Sequence, residues 1–155
     1  MTSVSPKIKP VVALEVDNTN ASKRSWLSRL KLDHFRNYQQ ADLAIHAGQL
    51  VILGDNGAGK TNLLEAVSLL APGRGMRRAK TEHLAYRESG FDTSCGIADN
   101  DDADRLDWAV AATLENEDGN LKIGTGVPPS AKQRNRIMRL EGMTVSQADL
   151  GTHLT

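Results

Sequence analysis

Residues 54–61 read Gly-Asp-Asn-Gly-Ala-Gly-Lys-Thr, which is the complete G-x-x-x-x-G-K-[ST] pattern of a phosphate-binding loop. The apolar run Leu-Val-Ile-Leu at 50–53 precedes it and has the length and branching of a buried strand. Residues 62–70, Asn-Leu-Leu-Glu-Ala-Val-Ser-Leu-Leu, follow it with apolar side chains at helical spacing. A strand, a glycine-rich loop and a helix in this order predict an α/β fold of the P-loop nucleoside triphosphatase class.

Each part of this loop has a predicted chemical role. Its glycines can adopt positive φ, so backbone N–H groups converge on phosphate oxygens at the positive end of the following helix. Lys60 can reach the β- and γ-phosphates, and the hydroxyl of Thr61 is placed to hold Mg²⁺. The sequence therefore predicts a site for ATP with Mg²⁺. The predicted nucleotide-binding residues of the loop are Gly54, Asp55, Asn56, Gly57, Ala58, Gly59, Lys60, Thr61 and Asn62.

The composition excludes several classes of protein. The chain has 155 residues, which suits one domain, and 19 basic residues balance 19 acidic ones, so no overall basic field indicates nucleic acid. A single cysteine, Cys95, excludes a disulfide framework and fits a reducing compartment. No apolar run approaches the roughly 20 residues of a membrane span, and the N-terminus lacks the apolar segment of a signal peptide. We therefore expect a soluble, cytoplasmic protein with no membrane partner.

The chain divides into parts of different texture. Residues 1–25 are rich in Ser, Lys, Asn and Thr, and we predict a flexible tail there. The folded part is predicted at 26–155. Alternating apolar residues predict strands near 30–35 and 43–45 within it, ahead of the phosphate loop. A β-rich subdomain is predicted at about 92–142.

The β-rich subdomain has its own strand and turn signals. Alternate apolar residues from Leu106 to Leu114 predict a strand, and Asp118-Gly119 predicts a hairpin turn into a return strand. Residues 124–130 contain two glycines and two prolines and are predicted to be a loop. A short strand is predicted at 137–140, and Ser146-Gln-Ala-Asp149 is predicted to cap a final helical turn.

Several runs of this sequence resemble the RecF family of recombination ATPases. The main ones are Leu-Lys-Leu-Asp-His-Phe-Arg-Asn-Tyr at 30–38 and Gly-Asp-Asn-Gly-Ala-Gly-Lys-Thr-Asn-Leu-Leu-Glu-Ala at 54–66. Gly73 with Arg74, Arg77 and the segment 136–142 also fit the family pattern. The resemblance implies the N-terminal part of an ATP-binding-cassette ATPase head, related to the heads of chromosome-maintenance proteins.

The resemblance also implies partners and further site residues. Proteins of this family bind duplex or gapped DNA, form an ATP-dependent homodimer around two ATP molecules and act with recombination mediator proteins. In such heads the first strands line the nucleotide pocket. By this resemblance Arg36 and Asn37 are candidates for contact with the base or ribose of the nucleotide.

Two motifs of an ATP-binding-cassette head are missing from the sequence. These are an apolar strand ending in Asp-Glu, for the metal and the water-activating base, and a Leu-Ser-Gly-type signature. Neither can be found between Thr61 and Thr155. We therefore expect an N-terminal fragment of a longer protein, which hydrolyses ATP negligibly on its own, and we assign no catalytic residue.

Four positive charges follow the predicted helix within seven residues. They are candidates for contact with DNA, and a solvated loop with no specific role is the alternative. The four residues are Arg74, Arg77, Arg78 and Lys80.

Two alternative functions share the phosphate loop. One is the nucleotide-binding subunit of an ABC transporter, in which an aromatic residue, here Tyr38, would stack on the base. The other is a different SMC-like ATPase head. Glu65 lies one turn into the helix and is interpreted as a solvated or pairing residue rather than a catalytic base.

Overall fold

The secondary structure comes from a computed structural model, which describes residues 10–11, 25–46, 50–87, 107–117, 119–129 and 135–153. Its strands are β1 (Pro10–Val11), β2 (Trp26–Phe35), β3 (Tyr38–Ala44), β4 (Val51–Ile52), β5 (Trp108–Asn116), β6 (Gly119–Val127), β7 (Ile137–Leu140) and β8 (Met143–Val145). The α-helices are α1 (Lys60–Leu70) and α2 (Gln147–His153), and a 3₁₀ turn covers Thr81–His83.

Six strands form one antiparallel sheet in the order β3-β2-β5-β6-β7-β8. The strands β2 and β3 precede the subdomain predicted at about 92–142, and they belong to the same sheet as its described strands; residues 92–106 lie outside the described ranges. The join is made by β2 and β5, which pair with Leu30 opposite Ala112 and Leu32 opposite Val110. These four side chains are buried on one face of the sheet. Because a shift by one residue would turn them to the other face, the alternating pattern fixes the register between β2 and β5.

The helix α1 packs on the buried face of this sheet. Its apolar stripe contains Leu63, Ala66 and Leu69, all of which are buried. The helix was predicted correctly and ends at Leu70, two residues before Pro72. Phe35 and Trp108 meet edge to face beneath it, with ring centroids 5.6 Å apart. The core also includes Leu84, Ile123, Val127, Met138, Leu140 and Leu150.

The segment that follows α1 closes the end of the hairpin formed by β2 and β3. Leu84 and Ala85 are buried, and Ala85 forms an isolated antiparallel bridge with Phe35. The indole N–H of Trp108 donates to the carbonyl of Thr81 at 3.1 Å. This segment therefore ties the end of β2 to β5.

An ion pair between a partly buried arginine and a buried carboxylate joins the hairpin turn to α1. Arg36, in the turn between β2 and β3, donates from Nε to Glu65 Oε2 at 2.9 Å and from NH2 to Glu65 Oε1 at 2.8 Å. Its NH1 donates to the carbonyl of His83 at 2.8 Å. The Glu65 side chain is only 2% exposed, so this carboxylate depends on its cationic partners; Arg36 is the nearer one, and Arg77 NH1 lies 3.7 Å from Glu65 Oε2. The interpretation of Glu65 as a pairing residue agrees with these contacts.

The strand ahead of the phosphate loop differs from its prediction. Only Val51 and Ile52 are extended, and they pair with Pro10 and Val11 in a separate two-stranded sheet. Val51 is 54% exposed and Leu53 is 52% exposed, so the predicted burial was wrong. The reason is that the strand pairs with a single two-residue neighbour in the part of the chain that the structure describes. Within the predicted tail at 1–25 the structure describes Pro10 and Val11, which form β1, and Ser25; residues 1–9 and 12–24 lie outside the described ranges.

The loop predicted at 124–130 is a strand in its first half. The strand β6 continues to Val127, and Gly126 pairs with Ala109. An added Cβ at Gly126 would overlap the carbonyl oxygen of Trp108 and lie 3.0 Å from the Cα of Ala109. Glycine is therefore needed at this position because the two strands approach each other closely, and not because the chain turns there.

The remaining predictions for the C-terminal half agree with the structure. The strands β5 and β6 form the expected hairpin, and β7 has the expected bounds. Ser146 and Asp149 cap α2 reciprocally, with Ser146 Oγ 2.7 Å from Asp149 Oδ2 and the Asp149 N–H 3.2 Å from Ser146 Oγ. No helix in the described ranges is long and apolar enough to cross a membrane.

We predict that Gly126→Ala lowers the free energy of unfolding by about 1–3 kcal/mol, because β5 and β6 must separate to admit the methyl group. Gly124→Ala is the matched control on the same face of β6, since its Cβ would meet nothing closer than the carbonyl oxygen of Val110 at 3.5 Å. That variant should be neutral or gain up to about 1 kcal/mol. Urea unfolding of the unchanged chain and the two variants measures the three free energies of unfolding. Equal losses in the two variants would contradict the role of Gly126 in the close approach of the strands.

We also predict that Arg36→Ala lowers the free energy of unfolding by about 3–5 kcal/mol, because it leaves the carboxylate of Glu65 buried without its main partner. Arg29→Ala is the control. Arg29 makes an equally short two-point pair with Asp42, but both side chains are about half exposed. Water solvates the remaining partner there, so the loss should be much smaller. Denaturant unfolding of both variants measures the difference, and similar small losses would contradict the role of burial.

Candidate functional site

The phosphate loop connects β4 to α1 and contains two glycines in the left-handed region. Gly57 has φ 87° and Gly59 has φ 96°, values that residues with a Cβ rarely adopt. Gly59 is also the N-terminal cap of α1, and no side chain caps this end of the helix. The first helical N–H groups are therefore left to a ligand or to water, which is the arrangement that favours an anion.

Lys60 lies at the first position of α1 and folds back over the loop. Its ammonium donates to the carbonyl of Gly54 at 2.6 Å and to that of Asp55 at 2.7 Å. The side chain of Thr61 is exposed beside it. The structure thus holds the lysine at the centre of the loop, where a bound phosphate would compete with the two carbonyls for its protons.

The hairpin turn contributes two residues to the inner side of the loop. The amide of Asn62 donates from Nδ2 to Asn37 Oδ1 at 2.8 Å. A Cβ added at Gly59 would lie 2.5 Å from Asn37 Nδ2 and 2.6 Å from the hydroxyl oxygen of Tyr38. Asn37 and Tyr38 are therefore packed directly against the last glycine of the loop.

The two turn residues predicted near the base or ribose have different surroundings. Asn37 contacts the loop as described. Arg36 uses three nitrogens for Glu65 and for the carbonyl of His83. The structure therefore gives Arg36 a role in holding the turn on α1, and its predicted contact with the nucleotide stays a prediction.

The four basic residues after α1 fall into separate environments. Arg77 points towards α1, where NH1 lies 3.3 Å from Asn62 Oδ1 and 3.7 Å from Glu65 Oε2. Lys80 lies 3.9 Å from Glu82, and both of these side chains are exposed. Among the described residues Arg74 and Arg78 have no ion-pair partner, and both line an open cavity of about 530 Å³. The cluster therefore presents two uncommitted guanidinium groups together.

Sequence reasoning missed two features of this site. It considered Tyr38 only as an aromatic for base stacking, whereas the ring is 2% exposed and cannot reach a base from solvent. It also gave no indication that Asn62 bridges Asn37 and Arg77, because both partners come from other segments. For metal binding, the described part of the chain holds no group of three His, Cys, Asp or Glu side chains.

Comparison with known proteins identifies the family. The sequence profile described as "RecF/RecN/SMC N terminal domain" matches residues 26–155. The protein named DNA replication and repair protein RecF from Rhizobium johnstonii is 46% identical over 129 residues. That match covers 83% of this chain and 30% of the relative. The RecF protein of Caulobacter vibrioides is 41% identical, with the same two coverages.

Two solved structures share the fold. One is described as the recombination mediator protein RecF with ATP; it has a TM-score of 0.57 and 22% identity and is matched over 83% of this chain and 31% of its own. The other is the SMC head domain from Thermotoga maritima, with a TM-score of 0.50, 14% identity and coverages of 83% and 41%. The fold is therefore that of the N-terminal part of an ATP-binding-cassette ATPase head.

The chain spans about 30% of the length of these two RecF relatives. The profile match covers most of the chain, and the relatives agree with it in sequence and in fold. The chain belongs to the RecF/RecN/SMC N-terminal domain family and is similar to RecF within it.

Proposed function

We propose that this chain is the ATP-binding part of a RecF-like protein that acts in DNA replication and repair. The observation that supports this most directly is the position of Lys60, which is held inside a loop with two left-handed glycines at an uncapped helix N-terminus. The loop motif and the similarity to RecF proteins point in the same direction. DNA and an ATP-dependent homodimer are the proposed partners of the whole protein.

The proposed nucleotide site consists of residues 54–62 with the neighbouring turn. A triphosphate would replace the carbonyls of Gly54 and Asp55 as the partner of Lys60, since an anion is the stronger acceptor. The exposed hydroxyl of Thr61 would supply a ligand for Mg²⁺, which neutralises charge on the phosphates. Asn37 is retained as a neighbour of the nucleotide because it touches the loop at Gly59.

The transporter alternative is less well supported by the site. It requires an aromatic residue that stacks on the base, and the ring of Tyr38 is enclosed in the core. A different SMC-like head remains the second candidate, because the SMC head domain shares the fold. The greater identity to RecF proteins favours the RecF-like function.

The contacts of the basic cluster favour part of it for the proposed binding of DNA. Arg74 and Arg78 are free to meet phosphate groups, whereas Arg77 is engaged with Asn62 and Glu65. A cavity with two unpaired guanidinium groups suits a phosphate of the DNA backbone, which carries no base information. The proposal therefore assigns most of the cluster's DNA affinity to Arg74 and Arg78.

We predict that Lys60→Ala weakens binding of MgATP about ten- to a hundredfold, because it removes a charge-assisted contact to phosphate. Lys122→Ala, which removes an exposed lysine from β6, is the control and should bind like the unchanged chain. Titration with a fluorescent ATP analogue measures all three affinities. Equal affinities for the two lysine variants would refute the proposed site.

For DNA, we predict that Arg74→Ala with Arg78→Ala lowers the slope of log affinity against log salt by nearly two units, at about 0.9 for each phosphate contact. Arg77→Ala should lower it less, because this guanidinium is already paired. Binding of the ATP-bound protein to a duplex oligonucleotide at several salt concentrations gives the slopes. Arg29→Ala, on the other face of the sheet, controls for the loss of positive charge. An unchanged slope in the double variant would contradict the proposed DNA contact and favour the alternative, a solvated loop with no specific role.

A further inference from the structure

Tyr38 is a buried residue whose hydroxyl has no partner. It is the first residue of β3 and 2% exposed, so the ring is held by the core and the position of its oxygen is set. Only two side-chain polar atoms in the described ranges are buried without a hydrogen bond, the Tyr38 hydroxyl oxygen and Arg136 Nε. An unpaired buried hydroxyl is unfavourable, so its place in the structure requires an explanation.

The hydroxyl lies against the last glycine of the phosphate loop. Its oxygen and the side-chain amide of Asn37 all fall within 3 Å of the point where a Cβ of Gly59 would be. The side-chain oxygen of Asn37 already accepts a hydrogen bond from Asn62 Nδ2. Burial raises the pKa of Tyr38 to about 12, so the phenol is neutral near pH 7 and keeps its proton for donation.

A bound triphosphate would change the hydrogen bonds of the loop. Lys60 now donates to the carbonyls of Gly54 and Asp55, and a triphosphate would take these protons. Lys60 would then be lost as a donor to these two carbonyls, which belong to exposed residues, and the phosphates would bring acceptor oxygens to the helix N-terminus that begins after Gly59. Tyr38 offers an uncommitted proton at that point.

We infer that Tyr38 is a positioning residue of the phosphate loop, and that its hydroxyl gains a hydrogen-bond acceptor when the loop closes on a triphosphate. The inference rests on the proposed nucleotide site and deepens it. In this role the hydroxyl is unfavourable in the free chain and favourable in the loaded one, so it helps to select the loaded loop. The acceptor that the Tyr38 hydroxyl gains is an atom of the loop or of the bound phosphates, and not an atom of the nucleotide base.

Tyr38→Phe tests the inference because it removes the hydroxyl and keeps the ring. We expect MgATP to bind about three- to tenfold more weakly, which corresponds to the loss of one hydrogen bond. Inorganic tripolyphosphate with Mg²⁺, measured by competition, should weaken by the same factor, since it fills the loop without a base. The thermal midpoint of the free variant should be equal to or higher than that of the unchanged chain, because an unpaired polar group has been removed.

Tyr86→Phe is the matched control. Tyr86 is the only other tyrosine of the chain; its ring meets His34 edge to face and lies at the end of the segment after α1. This variant should bind both ligands like the unchanged chain.

The remaining outcomes decide against the inference. If the unchanged chain binds neither ligand, the proposed site fails and the inference fails with it. If the unchanged chain binds and Tyr38→Phe binds equally well, only the inference is overturned. A loss confined to MgATP would place the contact at the base, and a lower thermal midpoint of the free variant would make the hydroxyl a structural group; either result overturns it.

Discussion

The arrangement of the site depends on one buried carboxylate. Glu65 lies on the face of α1 that packs against the sheet, where an unpaired charge would be strongly unfavourable. Arg36 satisfies it from the turn between β2 and β3 and adopts φ 56° there. The turn is therefore held at one place along the helix. Asn37 and Tyr38 follow Arg36 directly in the chain, so the same ion pair brings them to Gly59.

The strands were predictable wherever one face of the sheet is buried. In β2 and β5 the alternation of Leu30, Leu32, Val110 and Ala112 with polar or small residues indicates both the strand and its inner face. The pattern failed at residues 124–127, because Gly126 relieves backbone crowding that only the paired strand creates. It also failed at β4, whose apolar residues suggested a burial that its short pairing does not provide.

The site was predictable only where it is local in sequence. The phosphate loop and its helix form a continuous segment, so the loop motif and the helical spacing after it predicted them, although the burial expected for the strand before the loop was wrong. The partners of Arg36, Asn37 and Arg77 lie in other segments, and no spacing rule gives them. Four basic residues within seven positions looked equivalent in the sequence. The fold directs Arg77 towards α1 and leaves Arg74 and Arg78 at the cavity.

The short pairing of β4 gives the phosphate loop two ends of unequal strength. The helical end is fixed by the core contacts of Leu63 and Ala66 and by the ion pair of Glu65, whereas the strand end is held by two residue pairs and is largely exposed. Local opening is easiest where contacts are few, so backbone motion in the loop concentrates in residues 50–57 and diminishes towards Gly59. In the proposed complex with a triphosphate, most of the conformational entropy lost on binding would be lost by the strand end, and the helix would act as the fixed support.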